Sequence, residues 1–256
     1  MQSFLSFQDV CFSYHTLTGE LPAIHNLSFS LKKGEFLAVI GPSGCGKSTL
    51  LNLAAGLLQP DSGTVLCEGK SPNMPFPLAG YMLQKDHLLD WLSVMDNILL
   101  GARIQGLDLL QARRYAGQML EKYQLADFAY SYPAQLSGGM RQRVALIRTM
   151  LLSPSLLLLD EPFSALDSQT RLDVSSDIGQ IIRAEKKSAL LVTHDIAEAI
   201  TLADRVLVLS ASPAGIVLDQ PFDFAATLSP LLRRSTDSFQ YYFDLLWRQL
   251  HEKTDC

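Results

Sequence analysis

The chain opens on alternating apolar and polar positions over residues 4–7, 10–14 and 27–31, the period of strands with one buried face. A Lys33-Gly34 turn then leads into a continuous apolar stretch, Phe36-Leu37-Ala38-Val39-Ile40. Short unbroken runs of this kind suit strands buried on both faces of a parallel sheet. The same pattern recurs at residues 156–159, 189–192 and 206–209. Helical spacing occupies residues 47–57, most of 94–149, then 172–186 and 196–202. A turn at 60–63 precedes a strand at 64–67, and Pro72, Pro75 and Pro77 mark an irregular loop. Strand–helix–strand alternation of this sort predicts right-handed crossovers and an α/β fold with a mostly parallel sheet. The stretch 235–253 predicts a helix with Phe239, Phe243, Leu246, Trp247 and Leu250 on one face, packed on its own domain.

Composition narrows the function classes. A chain of 256 residues with 48% hydrophobic content suits one large α/β domain. Its net charge of −5 argues against a sequence-independent nucleic-acid binder, which needs a basic surface. The N-terminal residues show no secretory signal. The longest apolar run, 156–159, falls far short of the roughly 20 residues a membrane helix needs. If the protein works at a membrane, another chain crosses it. Cys11, Cys45, Cys67 and Cys256 are scattered, with no spacing for zinc or a redox dithiol, as expected in a reducing cytoplasm.

The first chemistry lies between a strand and a helix. Residues 41–49 read GPSGCGKST and match G-x-x-x-x-G-K-[ST]. Gly41, Gly44 and Gly46 let the backbone curl so that successive N–H groups point at phosphate oxygens. Pro42, Ser43 and Cys45 fill the loop, and the helix starting at Lys47 adds its positive dipole end. Lys47 is placed to neutralise β- and γ-phosphate charge, and the Ser48 hydroxyl to ligate Mg²⁺. Cys45 has two readings. One is a small residue that fits. The other is a thiol of lowered pKa, whose modification blocks ATP binding and is prevented by ATP.

Two further groups fall at strand ends, where ligand sites of parallel sheets lie. Asp160 and Glu161 follow the run 156–159. Asp160 is placed to hold Mg²⁺ through water, and Glu161 to polarise a water attacking the γ-phosphate. His194 follows the run 189–192 and reaches the same sheet edge, to bond the γ-phosphate or to hold Glu161 and water.

Residues 136–142 read LSGGMRQ, a second helix start suited to an anion, with Ser137 as cap and the N–H groups of Gly138 and Gly139 facing outward. With it the sequence resembles the ATP-binding cassette (ABC) ATPase family, from about residue 5 to 215. The resemblance implies a phosphate-loop NTPase core sheet, a smaller antiparallel β part, a helical insert at about 88–150 and a helical tail at about 228–256, in a single domain. It implies that Tyr14 stacks on adenine, that Thr49 completes the phosphate loop, and that Gln84 touches Mg²⁺ and water. Ser164-Ala165-Leu166-Asp167 then contacts an opposite subunit, and His194 is a switch histidine. The implied assembly is a homodimer or paired cassette closing on two ATP molecules. Each ATP lies between one phosphate loop and the other subunit's 137–139.

The stretch YMLQKDHLLDWLSVMDNILLG, residues 81–101, resembles the importers of nitrate, sulfonates, taurine and thiamine pyrimidine precursors. That resemblance implies an integral membrane permease, a periplasmic or surface solute-binding protein, and a peripheral place on the cytoplasmic face of the membrane. Residues 86–91 would face the permease, and Trp91 reads equally as a docking or a core residue. The signature runs Gly-Gly-Met-Arg-Gln rather than Gly-Gly-Gln, as in many importers. No room is expected for a C-terminal regulatory domain of the kind some sugar importers carry. The rival reading is a soluble ABC-type ATPase of nucleic-acid or translation processes. A compact acidic cassette without long insertions disfavours it.

Overall fold

The computed structural model describes residues 3–17, 19–71, 79–225 and 228–251. The three prolines of the expected loop at 72–77 lie outside the described residues, as do the end of the expected tail helix and Cys256.

Two sheets organise the chain. β1 (Leu5–Thr16) and β2 (Gly19–Leu31) form a long antiparallel hairpin, and β4 (Ser62–Cys67) pairs antiparallel with β1, giving the order β2-β1-β4. The sequence suggests two strands at 4–7 and 10–14. They are one strand with register shifts around Asp9, whose φ is 49°. The second sheet has the order β5-β6-β7-β3-β8-β9. Its members are β3 (Phe36–Ile40), β5 (Ala79–Met82), β6 (Leu156–Asp160), β7 (Ser188–Val192), β8 (Arg205–Leu209) and β9 (Ile216–Pro221). All its pairings are parallel except β8 with β9. The four continuous apolar runs are its inner strands. The outer ones, β5 and β9, carry no such run.

Alternate residues of the inner strands serve two cores, which is why the runs are unbroken. Phe36, Ala38 and Ile40 face the core shared with most of the helices. Leu37 and Val39 face a core closed by the antiparallel sheet and α1 (Lys47–Ala54). That helix ends before the expected residue 57, because Gly56 takes φ 72° and the Gly56 and Leu57 amides bond back to Leu53 and Asn52.

Between β5 and β6 lie α2 (Val94–Ile104), α3 (Leu109–Lys122) and α4 (Gly138–Met150), where the sequence places its helical stretch. α5 (Ser168–Ala184) and α6 (Ile196–Leu202) complete the crossovers. α7 (Pro230–Arg233) and α8 (Asp237–His251) follow β9. On α8, Tyr242 and Leu246 are buried and Phe239, Phe243 and Leu250 pack at the core margin, whereas Trp247 is half exposed. The tail thus packs on its own domain with a slightly rotated inner face. No described helix is long and apolar enough to cross a membrane.

Candidate functional site: a phosphate-loop cleft

The ends of β3, β6 and β7 lie side by side in the inner sheet and carry the groups singled out above. Their convergence follows from register, since Val39 pairs with Val192 and Asp160 also pairs with Val192. An open cleft of about 410 Å³ results, lined by Tyr14, residues 21–23, Ser43, Gly44, residues 46–49, Gln84, Asp160, Glu161 and Ser212.

The loop after β3 is built around missing side chains. Gly46 has φ 114°, and a Cβ there would meet the Ala23 carbonyl oxygen at 2.8 Å. A Cβ on Gly41 would meet Cys45 Sγ at 2.9 Å. The loop ends at α1, whose N-cap is Gly46, with no side-chain cap and no acid in the first turn. By contrast α2 to α6 are each capped by a side chain, from Ser93, Asp108, Ser137, Asp167 and Asp195. The first-turn amides of α1 thus open toward the cleft without a protein anion, an arrangement suited to phosphate. Lys47 is buried, and its Nζ donates to the carbonyls of Gly41 and Pro42, both at 2.9 Å.

Ser48 Oγ donates to Asp160 Oδ1 at 3.3 Å, and Tyr81 Oη donates to Asp160 Oδ2 at 3.5 Å. Burial raises the Asp160 pKa, and Glu161 adds to the rise against the pull of Ser48, Tyr81 and Lys47. A cation beside Asp160 would offset that penalty. One hydroxyl and one carboxylate fit Mg²⁺, which commonly keeps waters and substrate phosphates as its other ligands. No group of three His, Cys, Asp or Glu suited to a metal exists among the described residues.

Glu161 takes φ 43°, rare for a residue with a side chain and costing roughly 1–3 kcal/mol. Its Oε2 lies 3.0 Å from His194 Nδ1 and 3.5 Å from Gln84 Nε2. Gln84 Nε2 also donates to Ser164 Oγ at 3.3 Å, and Ser164 Oγ to the Glu161 carbonyl at 3.0 Å. Tyr14 stands at the cleft wall, 39% exposed, its hydroxyl 3.0 Å from Thr49 Oγ1. A ring face there is available to a flat base.

Two expectations change. Cys45 is 1% exposed and faces the second core rather than the cleft, and desolvation raises its thiol pKa despite Lys47 and the nearby amides. The helix dipole loses to burial, so the reactive-thiol reading fails and the small-residue reading holds. Within 86–91 only part faces outward. Asp86 turns in to Arg141 at 2.9 Å and Leu88 is buried, whereas Trp91 is 73% exposed and is not a core residue. Ser137, Gly138 and Gly139 open α4, with Ser137 Oγ accepting from the Met140 amide, and they lie outside this cleft, as an arrangement in which they serve another subunit's nucleotide requires.

Sequence reading missed Tyr81 as a contact of Asp160, and the wall formed by residues 21–23 and Ser212. Tyr81 would have been found had β5 been placed beside β6, since Tyr81 pairs with Leu158. The wall comes from chain segments remote from the loop, and no local signal marks it.

A strand, a glycine loop with an uncapped helix behind it, and acids at the end of a parallel strand two places along the sheet define a phosphate-loop nucleotide-binding protein. The profile described as ABC transporter matches residues 24–164. An uncharacterized ABC transporter ATP-binding protein of Bacillus subtilis, YtlC, is 43% identical over 97% of this chain and 96% of its own length. The taurine import ATP-binding protein TauB of Escherichia coli K12 is 41% identical over 81% of each chain. Among solved structures, the dimeric post-hydrolysis state of the ATP-binding cassette MJ0796 bound to ADP and Pi has a TM-score of 0.72 at 27% identity, covering 86% of this chain and 100% of that one. The chain belongs to the ABC transporter ATP-binding family.

Proposed function

We propose that this chain is the ATP-hydrolysing, energy-coupling subunit of a bacterial ABC importer. Its partners are a second cassette, an integral permease and, through the complex, a solute-binding protein, and it sits peripherally on the cytoplasmic face of the membrane. The solute belongs to the nitrate, sulfonate, taurine or thiamine-pyrimidine-precursor group. Relatives named for taurine import, at 41–44% identity, support that range. Nucleic acid is not a partner, in keeping with the net charge of −5.

The observation that carries the reading is the contact of His194 with Glu161, which lines the same cleft as Lys47 and the uncapped start of α1. The first-turn amides of α1 bind the phosphate chain, and Tyr14 orients the base. Lys47 exchanges its bonds to Gly41 and Pro42 for phosphate oxygens. Ser48, Asp160 and Gln84 would hold Mg²⁺, which would neutralise phosphate charge. Glu161 accepts the proton of the attacking water, and His194 fixes its carboxylate. Ser137, Gly138 and Gly139 serve the γ-phosphate of the partner's ATP.

The test is recovery of the tagged chain from gently solubilised membranes, with ATPase assayed in the complex. A co-purifying polytopic protein and ATP turnover are expected. Recovery of soluble partners or nucleic acid alone would remove the transport role.

A further inference from the structure

His194 is held from both sides by residues that reach the 164–167 loop. On one side, the Arg171 Nη2 group donates to the carbonyl of Leu166 at 2.9 Å and to that of Ser164 at 3.4 Å. The same guanidinium places Nη1 3.7 Å from Asp195 Oδ2. Asp195 follows His194 directly, caps α6 by accepting from the Glu198 amide at 3.1 Å, and donates its own amide to Thr193 Oγ1 at 3.1 Å. Thr193 precedes His194 and donates its hydroxyl to the fully buried Glu198. The imidazole itself is exposed and contacts Glu161, whose carbonyl accepts from Ser164. These contacts close a ring, Ser164–Arg171–Asp195–His194–Glu161–Ser164.

We infer that Arg171 is a positioning residue that sets the place of His194 against Glu161 according to the place of the 164–167 loop. The 3.7 Å ion pair is partly exposed and alone would contribute little. Its importance is geometric. Two carbonyl bonds tie the guanidinium to the loop, so a displaced loop carries the charge away from Asp195. Arg171 Nε is buried with no partner among the described residues, leaving the group incompletely satisfied and open to a second arrangement. The inference rests on the ATPase reading above and adds a route by which whatever presses on 164–167 reaches the reacting end of the cleft.

The experiment is a double-mutant cycle on the full chain, with Arg171→Met and His194→Ala alone and combined, reading kcat and KM for ATP. Arg171→Met is expected to lower kcat about ten-fold with KM near that of the unmodified protein, and to add little when His194 is already alanine. Equal loss in both backgrounds, or no loss in either, overturns the inference. Arg171→Lys keeps the charge but lacks a second nitrogen to reach Asp195 while the first holds the carbonyls, so partial rescue is expected. Should Arg171→Met not fold, Asp195→Asn keeps the cap, removes the ion pair and must show the same non-additivity. The His194 imidazole resonances of the nucleotide-free protein supply a readout independent of turnover, and they must shift in Arg171→Met. If they shift while even the unmodified protein shows no turnover, the coupling stands and the ATPase reading falls. If turnover is normal and they stay put, the coupling falls alone.

Discussion

His194 Nδ1 lies 3.0 Å from Glu161 Oε2, joining the ends of two adjacent parallel strands beside the cleft that Glu161 lines. Glu161→Gln keeps this spacing while removing the base. It is expected to bind ATP normally, to hydrolyse it at least about 100-fold more slowly, and to elute as an ATP-dependent dimer on gel filtration. Undiminished hydrolysis would dismiss Glu161 as the base.

Burial of Cys45 changes what a thiol reagent should do. Iodoacetamide applied to the folded protein is expected to modify the half-buried Cys11 before Cys45, with labelling of Cys45 following unfolding. Peptide mass spectrometry reads the order. Fast labelling of Cys45 prevented by ATP would restore the reactive-thiol reading.

Glu198 is fully buried, and desolvation raises its pKa to about 8, outweighing the hydrogen bond from Thr193. Its folded pKa exceeds its unfolded one, so its stabilisation is complete below the unfolded value and is lost as pH rises through about 8. Glu198→Gln mimics the protonated acid. Its melting temperature is expected to match that of the unmodified protein near about pH 4 and to exceed it near about pH 9. Parallel melting curves at both pH values would show that the carboxyl is not buried as a neutral acid.

Trp91, 73% exposed beside the segment expected to face a permease, can be removed without a cavity. Trp91→Ala is expected to change stability by no more than about 0.5 kcal/mol. Affinity for the permease should fall by about 2 kcal/mol, roughly 30-fold. Unchanged affinity in detergent-solubilised complexes would make Trp91 a bystander.

The inner strands of the parallel sheet were readable because each side of β3, β6, β7 and β8 is buried, which makes their apolar runs continuous. The phosphate loop was readable because its chemistry is local. The edge strands were not. β5 reads Ala-Gly-Tyr-Met and β9 ends in Gln220 and Pro221, and both owe their form to one neighbouring strand rather than to pattern. The lowered-pKa reading of Cys45 arises because the helix dipole is evident from sequence, whereas the packing against Gly41 that buries the thiol is not. Arg171 and Glu198 carry no motif chemistry of their own, and their importance depends on carbonyls and hydroxyls brought near by folding.

Among the described residues β5 pairs on one side only, with β6, whereas β3, β6 and β7 are paired on both. Gln84 stands just beyond this marginal strand, and the chain then enters the helices. Lys47, Asp160, Glu161 and His194 all hang from doubly braced strands. The cleft therefore has a stiff wall and a compliant one. A tilt of the helices would be taken up at the β5 border as a hinge, moving Gln84 relative to Ser164 and Glu161 while the phosphate seat keeps its shape.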